Sequence, residues 1–198
     1  RVHGDYRAET LFFWPGHNIG RWWDAMLRLE NATGFQIPVD AEQAMLKNLH
    51  RFFDNRDDLC LRPLDMTRVE GEVFDFHSPR EWLFALTALI RYRDNSWARD
   101  KAHGMLESVN RILHPFESWV ADPGAGIWNY QKAHRFEEAE RPAFQPPWGL
   151  SAIVSHGRMI EPLVEYYRLT GDSLALELAD RFARFHLSET TRPDGRYH

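Results

Sequence analysis

The chain contains a single cysteine, Cys60, in 198 residues. An internal disulfide and a multi-cysteine metal cluster are therefore excluded. It also lacks a basic excess: 24 Lys and Arg stand against 29 Asp and Glu, with both signs interspersed. No cationic footprint for nucleic acid follows from a net charge of −5. No apolar run reaches the roughly 18 residues of a spanning helix, so no membrane segment is expected. His103, His114 and His134 show neither His-x-x-x-His nor His-Glu-x-x-His spacing, and no glycine-rich phosphate loop or Gly-x-Ser-x-Gly elbow is present. No metal and no cofactor is implied. The chain opens Arg1-Val2-His3 and ends in the turn-like Pro193-Asp194-Gly195 followed by Arg196-Tyr197-His198. The expectation is a piece of a longer protein, with 189–198 beginning a continuation, and the compartment is not read from it.

What the chain does have is apolar content, 43%, and eight tryptophans, ample for a core. It also has a repeat, which is sought before anything else. Gly20–Gly34 (GRWWDAMLRLENATG) and Gly157–Gly171 (GRMIEPLVEYYRLTG) share length, an opening Gly-Arg, a closing Thr-Gly and an acid at one place, Asp24 and Glu161. Pro79–Asp94 (PREWLFALTALIRYRD) is a third apolar segment of helical length. Apolar residues all round such a helix predict burial on most sides. Each is followed by an amphipathic segment: Asp40–Phe53, Ser96–Leu113 and Ser173–Leu187. Gly34 and Gly171 stand where a left-handed residue ends a helix. Asp40 with Gln43, and Ser78-Pro79-Arg80-Glu81, read as capping boxes, and Asp172 or Ser173 reads as a cap.

The prediction is an all-α chain of three helical hairpins, 20–54, 78–114 and 155–188, with an N-terminal arm over 1–19. Long insertions fill 55–77 and 115–154, with room for short β segments near Arg68–Phe76 and Ile127–Tyr130. Structureless connections of that length in a compact domain are commonly functional. The insertion aromatics Trp128, Tyr130, Phe144 and Trp148 offer faces for sugar rings or for packing, whereas Trp22, Trp23, Trp82 and Phe84 read as core.

The openings of the apolar helices carry the chemistry. His17, His77 and His156 precede them, and Arg21, Arg80 and Arg158 follow. Stacked in register, these residues share one rim. Converging helix N-termini there favour anionic or hydroxyl-rich ligands. Glu81 reads as the capping partner of Ser78, and Asp24 and Glu161 as i,i+3 partners of Arg21 and Arg158. Glu70, Glu72 and Asp75, with Asp122, are the candidate acids for carboxyl chemistry.

Buried-then-amphipathic hairpins, Thr-Gly turns and aromatic insertions resemble the six-hairpin glycosidase superfamily, nearest in texture to its β-L-arabinofuranosidase-like group. The resemblance covers about 20–188 and implies part of an (α/α)₆ toroid, here the N-terminal three hairpins. It implies glycoside hydrolysis on a carbohydrate partner. The arabinofuranosidase-like enzymes use a Glu and a Cys beside a cysteine-rich zinc site. With Cys60 alone, no catalytic residue is carried over. Substrate contact is expected at His17, His77, His156, Arg21, Arg80, Arg158, Trp128 and Trp148. A polysaccharide lyase acting on uronate-containing glycans and a non-catalytic helical-repeat scaffold are the alternatives.

Overall fold

A computed structural model describes residues 15–55, 57–59, 73–75, 78–112, 127–129, 157–185 and 187. The described part is predominantly helical. Helix α1 spans Pro15–Thr33 and α2 Val39–Phe52; α3 spans Ser78–Arg93 and α4 Ser96–Ile112. A 3₁₀ turn, Gly157–Met159, leads into α5, Ile160–Thr170, and α6 follows over Ser173–Phe185. Two short strands, β1 (Val73–Asp75) and β2 (Ile127–Asn129), pair antiparallel with Phe74 opposite Trp128, and β1 lies against α3. No described helix is long and apolar enough to cross a membrane.

Several local details differ from the sequence reading. α1 begins at Pro15, so Pro15–Ile19 are helical and do not belong to an arm. Pro38 occupies the cap position of α2 with no side-chain cap bond, so the Asp40–Gln43 box does not form. The fixed φ of proline, −55° here, sets the entry. Asp40 and Glu42 instead lie in the first turn, where the helix dipole favours acids.

The Thr-Gly repeat is structural. Thr33 Oγ1 donates to the Leu29 carbonyl and Thr170 Oγ1 to the Tyr166 carbonyl. Each hydroxyl then accepts the backbone N–H two residues on, from Phe35 and Asp172. Gly34 and Gly171 both adopt φ +74°, the left-handed stop that a β-carbon disfavours. Asp172 Oδ1 accepts from the Leu174 N–H at 3.0 Å and caps α6.

The starts of α1, α3 and α5 lie at one end of the molecule. Arg21 pairs with Glu81 and Arg80 with Glu161 there, while Glu30 pairs with Arg93 at the far end of α1 and α3. The three run parallel, with α3 in the middle. α4 and α6 return antiparallel after two-residue turns and lie side by side, joined by His103–Asp172 and Arg181–Asn110. α2 returns along α3, its start at Arg93 through Glu42 and its end at Trp82 through Phe52 and Phe53.

Only α3 is buried nearly all round, from Pro79 to Ile90 apart from Arg80. α1 and α5 each keep an open face, contrary to the all-round apolar reading. Arg21, Asp24 and Arg28 (i, i+3, i+7) form a polar stripe on α1, and Glu161, Glu165 and Arg168 form one on α5. Their inward sides supply Trp23, Leu27, Met159, Leu163 and Tyr166 to one continuous core with Trp82, Leu86, Met105 and Phe182.

Candidate functional site

The polar stripes of α1 and α5 run along the two sides of one strip of surface beside the start of α3. Arg28 spans it: its Nε donates to Asp24 on its own helix at 2.7 Å, and its Nη2 donates to Glu165 on α5 at 3.0 Å. The planar guanidinium fork reaches two carboxylates at once, which a lysine ammonium does less well. Both acids draw the Arg28 guanidinium above its ordinary value, the Asp24 hydrogen bond most strongly, despite some desolvation.

At the helix starts, Arg21, Arg80 and Arg158 come together around Glu81. Glu81 is 1% exposed. Its Oε1 accepts from Arg80 Nη1 at 2.6 Å and lies 3.2 Å from Arg21 Nε. Glu81 thus makes ion pairs to Arg80 and Arg21, and the Ser78 side chain, its expected capping partner, lies outside the described residues. Arg80 also donates to Glu161 at 3.0 Å and lies 4.8 Å over the Phe84 ring. Burial alone would lower the Arg80 guanidinium, but the bonds to Glu81 and Glu161 outweigh it and leave it raised. Arg158 goes the other way: burial first, then repulsion by Arg80, hold it below its ordinary value; attraction to Glu81 opposes this and repulsion by Arg21 adds to it. Farther along, two carboxylates share Arg28.

The three rim arginines expected from the sequence are therefore neighbours. The expected pairings of Arg21 with Asp24 and of Arg158 with Glu161 are replaced by Arg28–Asp24 and Arg80–Glu161. Long side chains at three adjacent helix starts reach across helices more readily than along them. His17 lies in the opening turn of α1, and Asp75 and Trp128 lie in the two strands. Glu70, Glu72, Asp122, His77, His156 and Trp148 lie outside the described residues, as do Cys60, Tyr130 and Phe144. Sequence reasoning missed Arg28 and Glu165; the signal for both was the i, i+7 and i, i+4 spacing from Arg21 and Glu161. Among the described residues, no group of three or more His, Cys, Asp or Glu is placed to hold a metal ion. No protein family, curated protein or solved structure matches this chain.

Proposed function

We propose that the protein is carbohydrate-active, part of an (α/α)₆-type toroid, and that the strip of surface between the polar faces of α1 and α5 serves as a groove that binds a carboxylate-bearing oligosaccharide and hydrolyses it. The observation that supports this is the arrangement around Arg28, where Asp24 and Glu165 approach one guanidinium from the two helices. Glycoside hydrolysis uses two carboxyl groups flanking the scissile bond, and Asp24 and Glu165 are proposed as that pair. Alternating guanidinium donors and carboxylate acceptors suit the hydroxyl groups of a sugar. The arginine end selects a uronate, since charge-assisted, bidentate bonds to carboxylate are the strongest that guanidinium makes. His17, His77, His156, Trp128 and Trp148 are proposed as further substrate contacts. Glu70, Glu72 and Asp75 remain proposed as alternative catalytic acids.

The test compares neutral and uronate-containing oligosaccharides in a reducing-end assay and in calorimetric binding. Turnover should fall at least about 100-fold in Asp24→Asn and in Glu165→Gln while binding persists. Arg158→Ala should narrow the preference for the uronate ligand. An ultraviolet-absorbing unsaturated product would assign a lyase. Binding without turnover in every arm would assign a scaffold, and neither binding nor turnover would sink the carbohydrate reading.

A further inference from the structure

A concavity lies on α2, the turn after it, and α4, apart from the strip of surface between α1 and α5. It is an open cleft of about 540 Å³, within the range of small-ligand sites. Its floor is an aromatic stack: the His50 imidazole lies on the Trp97 indole with centroids 4.0 Å apart and planes within 24°. Trp97 is half-buried, and its edge is fixed by Phe53, which is itself buried. His50 is exposed, so the stack ends in an imidazole facing the cleft. Desolvation, and then Lys101, holds that imidazole below its ordinary value, which keeps it neutral and suited to stacking near pH 7.

The rim is cationic. Lys47 and Arg51 are exposed and stand one turn apart on the same face of α2, with His50 between them. Like charges at i,i+4 disfavour a helix. Neither makes an ion pair among the described residues, whereas Arg28, Arg80, Arg93 and Arg111 all do. Lys101, the third cation of the rim, is paired with Asp58. Asp54 is the carboxylate among the lining groups. Counting Asp58 with it, the rim retains a positive excess on a chain of net charge −5.

We infer that this cleft binds a small ligand in which a flat ring carries a phosphate monoester, the chemistry of a mononucleotide. The ring adds a third layer to the Trp97–His50 stack, and the phosphate sits between Lys47 and Arg51. Stacking tolerates any aromatic heterocycle, so the anion and the ring together set affinity, with little preference among bases.

The site is tested by calorimetric titration of the full chain with adenosine monophosphate, adenosine and inorganic phosphate in parallel. The monophosphate should bind at least about tenfold more tightly than either part alone. Lys47→Glu with Arg51→Glu, both on an exposed helix face, should weaken it by at least about tenfold. His50→Ala should weaken the monophosphate and the nucleoside but leave inorganic phosphate unchanged. The inference is overturned if the monophosphate binds no better than phosphate, or if the double charge reversal leaves its affinity intact. Oligosaccharide binding in the groove is measured separately, so failure here leaves the carbohydrate reading untouched.

Discussion

Gly20 of α1 lies so close to Glu81 of α3 that a β-carbon at position 20 would stand 2.4 Å from the Glu81 carbonyl oxygen. The contact is with backbone, which cannot swing aside. This approach brings Arg21 onto the Glu81 carboxylate. Gly20→Ala gains about 1 kcal/mol of helix propensity. Overpacking against a rigid neighbour costs up to about 3 kcal/mol or more, so a net loss of about 2 is expected. Urea unfolding should show a lower midpoint with an unchanged slope. An unchanged or raised midpoint would show that α1 and α3 are not held this closely.

Arg80 and Arg28 both bridge helices in this region, and they should differ in weight. Arg80 is 20% exposed and holds a buried carboxylate, whereas Arg28 is 43% exposed and holds half-exposed ones. Removing one partner of a buried pair leaves a charge poorly compensated, so Arg80→Ala should cost about 2–4 kcal/mol. Arg28→Ala should cost no more than about 1 kcal/mol. Adding Glu81→Gln to Arg80→Ala should recover part of the loss, as a double-mutant cycle would show. Equal costs at the two arginines would contradict the burial argument.

How much of this was legible in the sequence depended on whether the determinant is local. The Thr-Gly turns, the Asp172 cap and the helical state of the three segments follow from neighbours within a few residues and form as read, whereas of the three only α3 is buried nearly all round. The convergence of Arg21, Arg80 and Arg158 was legible only because the repeat set the register of three helix starts. Partner choice was not legible. Glu161 takes Arg80, and Glu81 takes Arg21 as well as Arg80, because parallel packing sets the three helix starts side by side. The open faces of α1 and α5 were hidden by reading residue types without rotating the helix. Aromatic residues dominated the count, while the charged stripe at i, i+3 and i+7 carried the orientation.

Tyr166 is 1% exposed, and its hydroxyl is pushed up to about 12, first by burial and then by the Asp172 charge. A tyrosine neutral in the fold but ionised when unfolded withdraws stability as pH climbs past its ordinary value of about 10. Ultraviolet titration of the six tyrosines should therefore contain one late component near pH 12. Tyr166→Phe should delete that component and flatten the alkaline loss of stability. Retention of the late component in the variant would assign it to another tyrosine.

His103 and His50 should impose opposite pH dependences on the same fold. His103 Nδ1 lies 2.8 Å from Asp172 Oδ2, and Nε2 lies 3.5 Å from Glu107. The Asp172 hydrogen bond is the main reason that His103 is raised above its ordinary value, against a smaller desolvation. A raised histidine contributes fully below the unfolded value of about 6.5, and the contribution fades as pH rises through the folded value. His50 is lowered, first by desolvation and then by Lys101, so its contribution is present above about 6.5 and fades on acidification. Because His103 joins α4 to the Asp172 cap, its protonated form fastens the second and third hairpins together. Denaturant midpoints between about pH 5 and 8, taken for wild type, His103→Gln and His50→Gln, separate the two. The deficit of His103→Gln relative to wild type should shrink as pH rises. The difference between wild type and His50→Gln should move in favour of wild type over the same range. Two differences that run in the same direction would show that Asp172 and Lys101 do not control these imidazoles.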